Sequence, residues 1–204
     1  MLLQWSAPEY VPRSFLVSGV SGTNKAVKQT DTSFRLTKQV ADGLVDMQEV
    51  SKGLFLVQSE MAFKKETELC EEYPERKVFQ LSFCMNGICE WDYRQKRGEH
   101  YQLSPTQCSL QCGTFSQCVS RFGSEEPYRT LSISLEQERF LSLAEDLEAA
   151  HLIRRDNKIC THIFSTTPEI RLVLQQLLDC PPERKLRKLY LEGKVLELVS
   201  LFCE

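Results

Sequence analysis

Residues 77–94 read KVFQLSFCMNGICEWDYR, two β-prone runs on either side of Asn86-Gly87. Asn-Gly between such runs is the strongest short-range signal for a two-residue type I′ hairpin, because both central residues need positive φ. The predicted strands are 77–85 and 88–94. That turn sets Met85 opposite Ile88 and Cys84 opposite Cys89. The second pair is the non-hydrogen-bonded one, with Cα atoms about 4.5 Å apart. Cys84 and Cys89 are therefore a candidate redox pair, able to form a strained, labile disulfide. Chance adjacency of two small apolar side chains is the plainer reading.

The same register sorts the two strands into faces, since strand side chains alternate. Phe79, Leu81, Phe83, Met85 and Ile88 share one face with Glu90, Asp92 and Arg94, while Gln80, Ser82, Cys84 and Cys89 share the other with Trp91 and Tyr93. Neither face is cleanly apolar, as expected of a barrel wall with protein on both sides. Trp91, Tyr93, Gln80 and Ser82 combine stacking surface with a few orienting polar groups, which makes them the candidate ligand-binding set. Packing of Trp91 and Tyr93 beneath helices explains the aromatics equally well.

Outward from this stretch, short β-prone runs separated by turn signals continue through residues 34–135. Gly43, Gly53, Tyr73-Pro74, Gly98, Ser104-Pro105, Gly113 and Gly123 punctuate them. Many short strands with frequent turns indicate a sandwich or barrel. Residues 1–33 have weak periodicity and read as an entry arm. Helical patterning takes over from 136 to 204. Ser134 with Gln137 marks a first helix start, ahead of the apolar stripe Phe140, Leu143, Ala144 and Leu147. Thr166 with Glu169 and Pro168 marks a second, which Cys180-Pro181-Pro182 ends. The fold class expected is α+β, a cupin-like or jelly-roll β-barrel followed by C-terminal helices.

The last helix, KLYLEGKVLELVSLFCE over residues 188–204, carries two adjoining apolar stripes. Leu191, Val195, Leu198 and Phe202 form one; Leu189, Leu196, Val199 and Cys203 form the other. Two stripes are more than one packing face needs, so the first is the candidate interface of a homodimer. The basic run Arg184-Lys185-Leu186-Arg187-Lys188 at its start reads as a solvated face.

Composition narrows the function classes. The chain has 204 residues, 25 basic against 28 acidic, a net charge of −3 and so none of the basic excess of nucleic-acid binders. No run approaches a membrane span, and the N-terminal residues lack the build of a secretory signal. The nine cysteines form an odd set that fits reduced thiols. These features imply a cytoplasmic protein. Cupin metal chemistry needs a His-x-His pair, a carboxylate and a third histidine, whereas the histidines here are 100, 151 and 162. Cys108 and Cys112 on one strand would lie about 13 Å apart, too far to share an ion. No metal site, catalytic residue or cofactor is therefore assigned.

The terminal sequence resembles a known family. A Thr-x-Pro-Glu-Ile helix start at 166–170, the Cys180-Pro181 break and RKLYLEGKVLEL at 187–198 are similar to the linker region of AraC-type transcription regulators, especially those that sense siderophores such as pyochelin. The likeness covers roughly the last forty residues and is architectural over the barrel. It implies an effector-binding and dimerisation domain. Its partners would be a small effector (a siderophore or aromatic metabolite), a second copy of the chain, and DNA only through a helix-turn-helix domain beyond residue 204. Gly193 stands where the siderophore-sensing relatives usually carry alanine, and glycine costs a helix interior about 1 kcal/mol. The alternatives are a stand-alone cupin-like small-molecule enzyme and a thiol-based redox or metal sensor.

Overall fold

Two long strands organise the molecule by running through both layers of a β-barrel. The structure, a computed structural model, describes residues 2–4, 14–17, 29–30, 33–35, 38, 40–94, 98–136, 139–140, 142 and 160–203. Twelve strands join one hydrogen-bonded sheet: β1 (Leu2–Gln4), β2 (Ser14–Val17), β3 (Gln29–Thr30), β4 (Ser33–Phe34), β5 (Ala41–Ser51), β6 (Leu54–Phe63), β7 (Thr67–Asn86), β8 (Cys89–Tyr93), β9 (Tyr101–Leu103), β10 (Gln107–Phe122), β11 (Tyr128–Glu136) and β12 (Cys160–Ser165). Helices α1 (Pro168–Leu178) and α2 (Arg187–Cys203) follow. The α+β class read from the sequence is the one observed.

The second half of β7 runs between β10 and β11, and the first half of β10 runs between β7 and β12. With β6 and β5 alongside β11 these form one layer. The first half of β7 pairs with β2, and the second half of β10 pairs with β8, which pairs with β9, so both long strands pass into the other layer. Their register jumps where Phe115 faces Arg76 but Gln117 faces Glu72. Pro74 falls in that gap. It has no N–H to give a ladder, so the interruption sits where the backbone cannot pair. Tyr73-Pro74 is thus a bulge within one strand rather than the turn its composition suggests.

The predicted hairpin is not formed. β7 and β8 do not pair with each other; Cys84 faces Thr130 of β11, whereas Cys89 faces Phe122 of β10 and Leu103 of β9. Asn86-Gly87 is a turn, but one that carries the chain from one layer to the other. Gly87 has φ +72°, the Asn86 side-chain amide donates to the Pro127 carbonyl at 2.7 Å, and a Cβ on Gly87 would come within 2.9 Å of that same oxygen. Local turn chemistry was legible; the long-range pairing that uses it was not.

Other boundaries move for similar reasons. Gly43 lies inside β5, a strand the punctuation obscured, where a Cβ would fall 2.0 Å from the Glu60 carbonyl of β6. Ser134 is a buried residue of β11 rather than a helix cap. Arg139, Phe140 and Ser142 are helical, and the rest of the stripe expected after Ser134 lies outside the described residues. The arm 1–33 contributes short strands, with β2 on the edge of β7. The segment assigned wholly to helices contains β12, whose Thr-His-Ile-Phe run has the β-branched and aromatic content of a strand.

Apolar alternation gives the barrel two cores. Leu54, Leu56, Phe79, Leu81, Phe83, Leu110, Leu131, Ile133 and Leu135 point to the outer side of the first layer. There they meet Phe140, α1 through Ile170, Val173, Leu174 and Leu177, and α2 through Leu191, Val195, Leu198 and Val199. Phe79 stacks on Phe140 at 4.0 Å between centroids. The second core lies between the layers and holds Val45, Met47, Met61, Phe63, Leu69, Trp91, Tyr93, Leu103, Cys118 and Phe122.

α1 begins one residue later than expected. Thr167 is the N-cap, its hydroxyl accepting from the Ile170 amide at 3.3 Å, with Pro168 in the first turn. Thr166 instead ties the helix to the barrel, its amide and hydroxyl both donating to the Thr106 carbonyl at 2.9 Å.

Leu191, Val195 and Leu198 are 0% exposed against the sheet, and Phe202 packs edge-on to Phe164 of β12 at 5.2 Å. The stripe read as a dimer interface is therefore the domain's own core, each residue worth roughly 1.5–3 kcal/mol of burial. Of the second stripe, Leu189 is 64% exposed, whereas Val199 is buried in the same core and Leu196 packs partly against it.

Candidate functional site

The candidate site is the inner surface of the barrel, where two rows of small polar side chains cross the first layer. Register places Thr161, Gln111, Gln80 and Ser134 in one row across β12, β10, β7 and β11. The adjacent row runs Ile163, Ser109, Ser82, Ser132 and on to Val57 of β6. Each alternates with an apolar residue packed under the helices, so the polar side chains face inward. The Gln80 amide donates to the Ser82 hydroxyl at 3.1 Å, and the Ser132 hydroxyl donates to the same oxygen at 2.9 Å.

Trp91 and Tyr93 come from β8 in the opposite layer. Tyr101 of β9 stacks on Trp91 at 5.5 Å and meets the Tyr93 ring edge-on at 5.9 Å. Burial pushes the Tyr93 phenol well above its ordinary pKa, and the nearby Thr161 hydroxyl only partly offsets this. Tyr93 therefore remains a neutral hydroxyl at the junction of the polar rows and the aromatic wall.

All four predicted ligand-binding residues thus belong to one interior, although not through the hairpin that suggested them. Gln80 and Ser82 stand on the first layer, Trp91 and Tyr93 on the second. Cys84 and Cys89 also face inward, and both lie close to Tyr128, whose phenol burial holds well above the ordinary tyrosine value. Each is a free thiol: Cys84 donates to the Gly87 carbonyl at 3.2 Å, and Cys89 to the Glu90 carbonyl at 3.7 Å. Burial raises the Cys84 thiol to about 11. The cross-strand geometry that motivated a redox pair there is absent.

Ser109, Gln111, Ser132, Ser134 and Thr161 were not among the ligand-binding residues expected from the sequence, and Ser134 was read as a helix cap. Their signal is the run Leu131-Ser132-Ile133-Ser134-Leu135, a period-two alternation of hydroxyls within a strand buried on both faces. Among the described residues, the Ser109 hydroxyl is buried without a hydrogen-bond partner, while the Thr161 hydroxyl and the Trp91 indole both lie within reach of the Tyr93 phenol. Unpartnered buried hydroxyls are rare in native interiors. With the Gln80 amide and the Ser82 and Ser132 hydroxyls beside it, the Ser109 hydroxyl makes this part of the interior polar.

On the barrel exterior, Asp92 receives Arg121 at 2.5 Å and His100 at 2.9 Å, while Arg121 also reaches Glu68 at 3.2 Å. Burial alone would raise the Asp92 carboxyl, but the hydrogen bonds from His100 and Arg121 outweigh it and hold it below the usual range. At the helix start, Arg187 donates to Gln48 of β5 at 2.6 Å and Arg184 lies 3.7 Å over the Tyr190 ring. Part of the basic run is thus folded back onto the domain. Among the described residues, no group of three or more His, Cys, Asp or Glu is placed to hold a metal ion, and no helix is long and apolar enough to cross a membrane.

The barrel-plus-helices arrangement has solved counterparts. A ToxT variant (K231A) from Vibrio cholerae in its apo form superposes with a TM-score of 0.53 at 12% identity, covering 76% of this chain and 56% of that one. The chain therefore spans little more than half the length of that protein, and the likeness is one of fold. CuxR, described as an AraC-like transcriptional activator, gives a TM-score of 0.42 at 8% identity, covering 78% of this chain and 56% of that one. A double-stranded β-helix protein from Klebsiella pneumoniae gives 0.36 at 12% identity over 52% of this chain and 84% of that one. No curated protein sequence matches. At the level of sequence family, the model of the regulatory protein PchR N-terminal domain matches residues 42–204, nearly the whole barrel and both helices, and this chain belongs to that family of regulatory domains.

Proposed function

We propose that this chain is the effector-sensing portion of an AraC-type transcription regulator, acting in the cytoplasm. A small aromatic or chelating effector, of which siderophores are one class, binds between the polar rows of β7, β10 and β11 and the aromatic wall of β8. The observation that carries this reading is the polar rows, with the buried and unpartnered Ser109 hydroxyl among them, sharing one interior with the aromatic wall of Trp91, Tyr93 and Tyr101. An aromatic guest would stack on the ring wall while its oxygen or nitrogen atoms hydrogen-bond to the polar rows. DNA would be engaged only by a further helix-turn-helix domain of the full-length protein.

Homodimerisation is part of the same proposal, but through the exposed start of α2 at Leu189, since the first stripe and Val199 of the second are consumed by the core. Sedimentation at micromolar concentration tests this. Leu189→Asp is expected to shift a dimer towards monomer, and an unchanged sedimentation coefficient refutes the interface.

Fluorescence tests the effector site. In a Trp5→Phe background, Trp91 is the remaining tryptophan. Titration with a panel of siderophores and phenolic acids is expected to quench its emission for at least one class, with Ser82→Ala and Ser109→Ala weakening that binder roughly five- to tenfold, the cost of about one hydrogen bond each. A compound that binds tightly yet leaves Trp91 emission and both variants' affinities unchanged places the site elsewhere.

A further inference from the structure

The effector proposal leaves unused a thiol cluster on the opposite face of the first layer. Cys112 of β10 and Cys160 of β12 stand directly opposite each other in an antiparallel ladder. Opposed residues in such a ladder have Cα atoms about 4.5 or 5.5 Å apart, and both values fall within the range of about 4.4–6.8 Å that disulfides span. Both thiols belong to the core on the helix side, Cys112 fully buried within it and Cys160 half-buried against it. Two residues along β12, on the same face, the exposed His162 imidazole places Nε2 2.9 Å from the Cys160 sulfur.

We propose that Cys112, Cys160 and His162 form a peroxide-responsive thiol site in which Cys160 is the reacting sulfur, His162 its base and Cys112 the resolving thiol. Partial exposure gives Cys160 access to a small oxidant, and the imidazole can take its proton, since the thiolate is the nucleophile. Cys84, Cys108 and Cys118 are buried, and Cys70 is half-buried.

His162 accepts the Cys160 proton, and the thiolate attacks the distal oxygen of a hydroperoxide. The O–O bond breaks, the leaving alkoxide takes the proton from His162, and Cys160 becomes a sulfenic acid. The Cys112 sulfur then attacks the Cys160 sulfur. The S–S bond forms, the S–OH bond breaks, and hydroxide leaves with the Cys112 proton as water. Two thiols lose two electrons, and one hydroperoxide becomes an alcohol and a water.

Burial, followed by the neighbouring Cys160, raises the Cys112 thiol to about 12, so Cys112 waits as the protonated partner. Sulfenic acid formation removes the Cys160 negative charge that contributes to that rise. The finished bond would fasten the start of β12 to β10 beneath the helical pair. Further along β12, Phe164 touches Phe202 of α2, so the tie lies on the junction that a regulator would need to move.

The test uses the whole chain, reduced, then exposed to hydrogen peroxide, digested and analysed by mass spectrometry. The expected product is one peptide cross-link, Cys112 to Cys160, reversed by dithiothreitol. His162→Gln is expected to slow iodoacetamide labelling of Cys160 about tenfold, as loss of an adjacent base should, while labelling of Cys70 keeps its rate. In Cys112→Ala, dimedone should trap Cys160 as the sulfenic acid. The half-buried Cys160→Ser supplies a second variant, in which Cys112 should stay reduced. Cross-linking of Cys160 to any other cysteine overturns the proposal. So does oxidation of Cys160 no faster than Cys70, or labelling insensitive to His162→Gln.

Discussion

Gly87 shows how one residue decides the route of the chain. Its φ of +72° is costly for any residue with a Cβ, and the Pro127 carbonyl occupies the space a Cβ would need. Gly87→Ala is expected to lose about 1–3 kcal/mol of stability, measured as a lower midpoint in urea denaturation with an unchanged slope. Asp92 offers a test of different character. Its folded pKa is depressed by His100 and Arg121, so its contribution is complete above the unfolded value of about 3.9 and is lost as pH falls through the folded one. Asp92→Asn should therefore destabilise the protein near neutral pH and make no difference in strong acid. The groups are partly exposed, which keeps the effect within about 0.2–1 kcal/mol. Urea titrations of both proteins across the acid range would reveal the two stability curves converging; parallel curves would mean the ion network does not survive in solution.

At the scale of elements, α2 separates what periodicity tells from what it leaves out. Its apolar spacing predicts a helix correctly, but spacing alone does not say which stripe the sheet takes. The sheet took Leu191, Val195 and Leu198. Leu198→Ala is accordingly expected to cost about 2–5 kcal/mol as a cavity in the core, seen as a depressed thermal midpoint at every protein concentration. A dimer contact would instead make the loss depend on concentration. Strands and helices were legible wherever a local signal sufficed: the β-prone runs, Pro168 after its cap, the Cys-Pro break after α1. Two kinds of element escaped. β5 and β7 carry Gly43 and Pro74 inside them, residues that mark a close strand approach and a bulge as readily as a turn. The partner of β8 depended on a crossing between layers, a contact distant in sequence that no local pattern encodes. The candidate site was half legible for the same reason. Face alternation found Gln80, Ser82, Trp91 and Tyr93, but only the ladder of β7 with β10 and β11 could add Ser109, Gln111, Ser132 and Ser134.

Taken as a whole molecule, the first layer is a wall with two different faces. Phe79, Leu81 and Phe83 hold the helices, while Gln80 and Ser82, the residues between them, face the interior. A strand cannot shift under a guest on one side without moving the side chains on the other, because close-packed interiors transmit strain. On the proposed effector reading, this coupling would relay an interior event to α2, and it sets a measurable limit. A ligand shifts the helices only by its difference in affinity for the two arrangements, typically about 1–3 kcal/mol, or a 5- to 150-fold change in binding. Val195→Ala removes two methyl groups from α2 on the helix side, where the wild-type residue is wholly buried, and touches no residue of the interior rows. It is expected to change the affinity of whichever siderophore or phenolic acid quenches Trp91, within that range, while the fully quenched emission spectrum stays the same. Titration of Trp91 fluorescence in the two proteins provides the comparison. Equal affinities, with Val195→Ala shown by its thermal midpoint to be destabilised but folded, would mean that the helical pair sits on the barrel without sensing its interior.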